Sequence, residues 1–181
     1  MMEIAYLAGL FDGEGCIHIP VMTPKWCKSP NYGLRVIYSL VHEEVIRRIA
    51  LQTGTRYCRL RKNNPLWRDA FQVQLCGERA AGLLRVMMPY LIVKREEAEL
   101  AIKLQDHITQ YRNKWKRMTQ PEKDAVLLYR EGLRLQIKAL KRSGATDGMM
   151  VNSENTLCPA SDGAEGQPRA KQTALKAVGR V

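Results

Sequence analysis

Apolar positions near the start of the chain recur with the period of a helix. Ile4, Leu7, Ala8 and Phe11 share one side, while Ala5, Ala8 and Gly9 form a face of small residues. A segment with both features has a core side and a side on which a second helix can approach closely. The period then changes: residues 16–22 alternate as a strand does, turn residues fill 24–30, and a second alternating run covers 32–40. Helical spacing returns over 41–53 through Val45, Ile46, Ile49 and Ala50, and Gly54 stops it. A third strand is predicted at 56–62, followed by the turn Asn63, Asn64, Pro65. Phe71, Val73 and Leu75 alternate with Ala70, Gln72 and Gln74 as a fourth strand, and 77–88 is helical up to Pro89. The predicted order is helix, strand, strand, helix, strand, strand, helix: an α+β class built as an αββαββα unit.

Two longer helical patterns follow. Ala101, Leu104, Ile108, Tyr111 and Trp115 keep a three-four spacing, as do Val126, Tyr129, Leu133, Ile137 and Leu140. Thr119, Gln120, Pro121 and Glu122 between them read as a capping-box start with proline inside the first turn. The two are predicted to pack as a C-terminal helical hairpin on the preceding unit. From Ser143 onward the chain turns to Gly, Ser, Ala, Asn and Pro without periodicity, which predicts disorder. The chain thus divides into a core of residues 1–118 that includes its last helix, one additional helix at 119–142, and a disordered tail at 143–181.

Charge changes this picture from a fold to a partner. The 181 residues carry 29 Lys and Arg against 18 Asp and Glu, a net +11. The whole excess lies before the tail, and residues 25–68 alone hold 10 basic residues against Glu43 and Glu44. A surplus that concentrated points to a polyanion, nucleic acid first. Five cysteines, Cys16, Cys27, Cys58, Cys76 and Cys158, are odd in number, widely spaced and without a C-x-x-C pair. That spacing argues against a zinc site and a disulfide framework, and fits a reducing interior. No basic-then-apolar leader opens the chain, and no apolar run approaches the ~20 residues needed to cross a bilayer. The expectation is a soluble, intracellular protein with no membrane partner.

The candidate chemistry lies at the end of the first helix, where Leu7-Ala8-Gly9-Leu10-Phe11-Asp12-Gly13-Glu14-Gly15 closes on glycine, acid, glycine. Carbonyls of a last helical turn lack partners, and the negative end of the helix repels a lone carboxylate but welcomes a cation. Gly13 and Gly15 clear side chains from the turn. Glu14 in this setting suits a hard divalent metal held by oxygen.

These nine residues resemble the LAGLIDADG motif of homing endonucleases, departing from it at Phe11, Gly13 and Glu14 by changes of similar size or charge. The resemblance covers about residues 3–99, and beyond the motif it rests on element order and charge. It implies a four-stranded antiparallel saddle sheet lying in the DNA major groove. Because the motif occurs once, it also implies a homodimer packed through the motif helices, with Ala5, Ala8, Gly9 and Asp12 at the interface. Asp12 is assigned mainly to structure, as a helix-end and interface residue. Glu14 becomes the metal ligand, with the Gly13 carbonyl as second ligand and Mg²⁺ (or Mn²⁺) as the ion. Lys94, in the segment Pro89-Tyr90-Leu91-Ile92-Val93-Lys94, is similar to the family's lysine near the scissile phosphate, which stabilises developing charge. The competing assignment for Lys94 is an ordinary first-turn lysine paired with Glu97. The polar residue that orders water is left open between Tyr38, Ser39 and His42.

Strand parity sorts the expected DNA contacts. If Ile17, Ile19 and Val21 face the helices, then His18, Pro20 and Met22 face outward, and Asn31 and Arg35 lie opposite Leu34 and Val36. Arg59 and Arg61 are the expected base-reading pair, since Arg, Gln and Asn make bidentate contacts to guanine and adenine. Arg68 and Gln72 oppose Phe71 and Val73, and the loop residues Lys25, Lys28 and Lys62 are expected on phosphates. The implied activity is hydrolysis of both strands of a long pseudo-palindromic site, as in intron homing. The alternative is a weakly active or inactive nucleic-acid binder, an intron RNA maturase or a DNA-binding regulator.

Overall fold

The motif segment forms α1 (Ile4–Glu14), which buries Leu7, Ala8 and Phe11 on one side. The computed structural model describes residues 2–143 apart from 24, 26–28, 63 and 65. The predicted tail therefore falls, save for Ser143, outside the described residues. Strand β1 (Gly15–His18) follows α1 directly, then the short β2 (Val21–Met22) and β3 (Asn31–Tyr32), and then β4 (Arg35–Leu40). Next come α2 (Glu43–Thr53), β5 (Tyr57–Arg59), β6 (Phe71–Cys76) and α3 (Gly77–Met87). The hairpin helices are α4 (Arg95–Arg112) and α5 (Gln120–Ser143).

The main sheet has the order β1-β4-β6-β5, with every neighbouring pair antiparallel. Its helix side carries the buried Ile17, Val36, Tyr38, Val73 and Leu75, packed on Ile46, Ile49, Ala80, Ala81, Leu84 and Met87 from the helices. The predicted positions Leu7, Ala8 and Phe11 of α1, Ile46, Ile49 and Ala50 of α2, Ala101 and Leu104 of α4, and Val126, Leu133 and Ile137 of α5 are buried. Gly54, with φ 62, closes α2 in the left-handed region where a side chain is strained.

Two predicted strands are each broken. The first stops at His18 and resumes at Val21, and the second begins as β3 and resumes at Arg35. Pro20 has no N–H to give to a ladder. Its carbonyl instead accepts from Gly33 N at 3.2 Å, so β2 and β3 continue as a separate two-stranded ribbon. That ribbon docks on α5, where the buried Tyr32 donates its hydroxyl to Glu131 at 2.9 Å. The third strand is also shorter than predicted. Trp115 lies in a single 3-10 turn, Trp115–Arg117, outside α4.

The hairpin is antiparallel: His107 of α4 stacks on Tyr129 of α5 with centroids 4.6 Å apart, and Arg130 donates to His107 Nδ1 at 3.3 Å. Glu122 accepts from the Thr119 N–H and hydroxyl at 2.7 and 2.8 Å, the reach-back that the capping pattern predicted. Among the described residues no helix is long and apolar enough to cross a membrane.

Candidate active site

Phe11 turns its ring under the end of α1, and that explains Gly15. A Cβ on Gly15 would lie 1.9 Å from the ring's Cδ2, so only glycine lets the chain leave the helix here. The Gly15 N–H donates to the Phe11 carbonyl and closes the helix. Glu14, the last helical residue, is exposed, and its carboxylate has no hydrogen-bond or ion-pair partner among the described residues. Asp12, two residues earlier, is fully engaged. Its carboxylate accepts from the backbone N–H groups of Ile92, Val93 and Lys94 at 2.8, 3.2 and 2.9 Å. Lys94 is the N-cap of α4 and the other two residues lead into it, so the Asp12 carboxylate ties α1 to the chain entering that helix.

The same clasp delivers Lys94. Its ammonium donates to the Asp12 carbonyl and lies 5.9 Å from the centroid of the Phe11 ring. The Lys94 ammonium thus reaches the turn that carries Glu14, although the two residues are 80 apart in sequence. The ammonium goes to Asp12 and forms no ion pair with Glu97.

Sequence reasoning missed a second lysine. Lys141, in the last turn of α5, donates from Nζ to the Ile17 carbonyl on β1 and lies 3.4 Å from Cys16 Sγ. Glu97, one turn into α4, is half-buried, and its Oε2 is enclosed without a hydrogen-bond partner. Burial pushes the Glu97 carboxyl above its ordinary value, and Lys141 and then Lys94 oppose that shift. Only the basic end of a long amphipathic pattern hinted at Lys141.

Register defines the other side of the sheet, because directly paired residues share a face. Cys16, His18, Arg35, Ile37, Ser39, Gln74, Cys76 and Cys58 fall on the side away from the buried core. Burial, then Arg35, then Lys141 push His18 below the usual imidazole value.

Among solved structures the chain resembles the homing endonuclease I-CvuI in complex with the I-CreI target, at 18% identity, TM-score 0.60 and 85% of each chain covered. It also resembles an archaeal intron-encoded homing endonuclease complexed with DNA, at 11% identity and TM-score 0.61, over 76% of this chain and 82% of that one. The homing endonuclease I-TnaI matches at 12% identity and TM-score 0.53, over 80% and 97%. The fold is that of the LAGLIDADG homing endonucleases. No protein-family model matches the chain, and no curated protein matches it.

Within the LAGLIDADG fold several expected residues change standing. Arg59 pairs with Phe71 in register and so shares the core parity of Tyr57 and Val73, not the open face. The Tyr57 and Phe71 rings pack edge-on with centroids 6.4 Å apart, which fixes the parity of this edge strand. Arg59 and Lys62 both reach Asp69, each at 2.6 Å, and Cys58 takes the position on the open face. Gln72 has the open-face parity but is only 4% exposed. Lys25, Asn31, Arg61 and Arg68 are exposed, Arg35 is half-buried, and Lys28 lies outside the described residues.

On α1, Ala8 is 0% exposed and belongs to the core, so it is no part of a docking face. The exposed small residues are Ala5, Gly9 and Gly13, four apart, and a Cβ on either glycine would meet nothing within 4 Å. Ile92 and Val93, in the clasp with Asp12, are 86% and 74% exposed. Tyr38 is excluded from ordering water at the site. It is buried in the core, its hydroxyl donates to the Leu7 carbonyl at 3.3 Å, and burial holds its ionisation far above the usual range. Ser39 is on the open face, and His42 is exposed at the start of α2.

Among the described residues no three of His, Cys, Asp and Glu converge as a metal cage. A single free carboxylate beside last-turn carbonyls suits Mg²⁺, which keeps several waters and takes few protein ligands.

Proposed function

We propose that the chain is a divalent-metal-dependent DNA endonuclease, acting as a homodimer on a long pseudo-palindromic site. The observation that carries this reading is the partner-free Glu14 carboxylate at the turn that the Lys94 ammonium reaches. A protein that only binds nucleic acid has no use for an exposed carboxylate next to the phosphates it must attract. I-CvuI was solved with DNA in the presence of 2 mM Mg, the DNA not cleaved, and with its target in 2 mM Ca, so divalent ions accompany DNA on this fold.

Glu14 and the Gly13 carbonyl would hold Mg²⁺ or Mn²⁺. Bound there, the ion supplies an activated water and charge neutralisation at the phosphate. Lys94 balances the charge that grows on the phosphate oxygens as the bond breaks. His18, Arg35, Asn31, Arg61 and Arg68 contact bases and backbone, and Lys25 grips phosphate, which makes affinity fall with salt. The exposed small residues of α1 pack against those of a second copy, which brings the two Glu14 residues to the centre of the complex.

The test is cleavage of a randomised duplex library with Mg²⁺ by the wild type beside Glu14→Gln, with the products sequenced. Cuts at a pseudo-palindrome that vanish in the variant support the reading. Tight duplex binding with no Mg²⁺-dependent cut by the wild type refutes it and leaves a non-cleaving binder, an intron RNA maturase or a DNA-binding regulator.

A further inference from the structure

We propose that the turn joining α4 to α5 is a separate nucleic-acid contact, a cationic tip that grips the phosphate backbone of duplex DNA outside the part of the site that the sheet covers. Arg112, Lys114, Lys116 and Arg117 put four cations in six residues, with no acid among them. All four are exposed, and among the described residues none has an ion-pair partner. The nearest acids in sequence are taken elsewhere: Asp106 by Arg85, and Glu122 by the Thr119 N–H and hydroxyl. Arg112 suits the last turn of α4, whose carbonyl end favours a cation. Lys114, Lys116 and Arg117 have no such reason and repel one another, an excess that a phosphate backbone neutralises.

The tip is held in place from beneath. Trp115 is half-buried with the Arg130 guanidinium 5.6 Å from its ring, and Arg130, only 7% exposed, donates to His107 Nδ1. The Arg117 N–H donates to the Lys114 carbonyl at 2.9 Å and closes the 3-10 turn. Cations on a turn already fixed lose less freedom on binding than cations on a free loop. Position agrees with charge. α4 starts at the turn that carries Asp12 and Glu14, and its 18 residues at ~1.5 Å each carry the tip about 27 Å away. α5 returns beside the ribbon and β1, meeting Tyr32 at Glu131 and Ile17 at Lys141, so the hairpin and β1 lead away from the same turn. With that turn at the centre of a DNA site, the tip falls about eight base pairs out, at ~3.4 Å per pair. This placement rests on the proposed function; the unpaired charge and the fixed turn do not.

The experiment uses the full chain, with EDTA present so that binding is read without cutting, and a mixed-sequence duplex of about 40 base pairs, long enough to pass both tips of a dimer. The first readout needs no variant: the rate at which an amine-reactive acetylating reagent labels each lysine, with and without saturating duplex, read by mass spectrometry. Labelling of Lys114, Lys116 and Lys25 is expected to slow about fivefold or more, while the exposed Lys103 of α4 keeps its rate. The second readout is duplex affinity against salt for Lys114→Gln with Lys116→Gln and Arg117→Gln. Its control removes equal charge elsewhere: Arg47→Gln with Arg48→Gln and Lys103→Gln. The tip variant is expected to bind about tenfold more weakly at about 0.1 M salt, with a salt slope lower by about two to three per protomer, and the control to shift each by less than half as much. Protection of Lys25 with Lys114 and Lys116 labelled at full rate overturns the proposal and leaves the endonuclease reading standing. Protection of none of the three overturns both. Protection of the tip by single-stranded RNA but not by the duplex overturns the proposal, as does a tip variant that matches the control in affinity and slope. If the tip variant fails to fold, the labelling of the wild type decides.

Discussion

Replacing Asp12 by alanine tests the clasp that joins the motif helix to the start of α4. The carboxylate accepts three backbone N–H groups at 2.8, 3.2 and 2.9 Å, the last from Lys94, the N-cap of α4. A hydrogen bond to a charged acceptor contributes about 1.5–3 kcal/mol. The three bonds do not add, because Ile92 and Val93 are exposed and water replaces the carboxylate at their N–H groups. Lys94 N is part-buried, and its loss is the costly one. The expected destabilisation is therefore about 2–3 kcal/mol, nearer one good charged bond than three. For a chain of this size that lowers Tm by about 4–12 °C. Asp12→Asn keeps one acceptor oxygen and loses about half as much. The assay is a thermal melt with a urea titration whose m-value stays constant. A drop within about 1 °C for Asp12→Ala would refute the reasoning, since the three bonds would then contribute no more than solvent does. The Asp12 carbonyl that holds Lys94 survives the substitution, so duplex affinity is expected to change little.

Two further outcomes follow from single sites. Gly15→Ala puts a Cβ 1.9 Å from the Phe11 ring, which cannot retreat within the closed core, and overpacking of this kind costs about 1–3 kcal/mol; a melt equal to wild type would show that the turn has room. His18 titrates below its ordinary 6.5 through burial, Arg35 and Lys141, so the unfolded chain binds its proton more readily than the fold does. Its contribution to stability is full above pH 6.5 and is lost as pH falls through the lowered folded value. His107, lowered by burial and Arg130, acts in the same direction. Tm is expected to drop on acidification from neutral pH and to drop less in His18→Gln; duplex affinity should move the opposite way, because phosphate near His18 favours its proton. An identical acid slope in the variant would remove His18 from both effects.

How much was legible in the sequence depended on what fixed each element. The motif helix, the glycine turn and the two long amphipathic helices were legible because apolar period, capping residues and Gly15 act locally. The sheet was legible as four strands, but Pro20 divided one of them, and its carbonyl then bound Gly33 across the gap, a contact that no local pattern announces. Parity failed at β5. The run Tyr57, Cys58, Arg59 has no dominant apolar alternate, so its facing is decided by the Tyr57–Phe71 contact and by register with β6. Ala8 and Gly9 are adjacent in sequence yet one is core and the other solvent-facing, and only the position of the sheet beneath α1 separates them. Glu14 was legible as a candidate because it ends a motif. Lys141 was not, because its bond to the Ile17 carbonyl depends on how α5 packs.

That difference has a consequence for what can vary. Around the Glu14 turn the side chains are tied to backbone: Asp12 to three N–H groups, Lys94 to the Asp12 carbonyl, Lys141 to the Ile17 carbonyl. Backbone ties fix position whatever the neighbouring side chains do, so this end of the molecule tolerates little change. Away from the centre the candidate contacts Lys25, Arg61 and Arg68 are exposed residues outside the strands, and Arg59 and Lys62 are held by one carboxylate, Asp69, near the surface. Surface ion pairs of this kind contribute about 0–1 kcal/mol, so DNA phosphate or a guanine edge can compete for either cation at little cost to the fold. Under the proposed function, the choice of target is therefore concentrated where substitutions cost least stability, and the chemistry where they cost most. Exchanging Arg59 or Lys62 should alter which duplexes are bound while leaving the melt within about 1 kcal/mol of wild type.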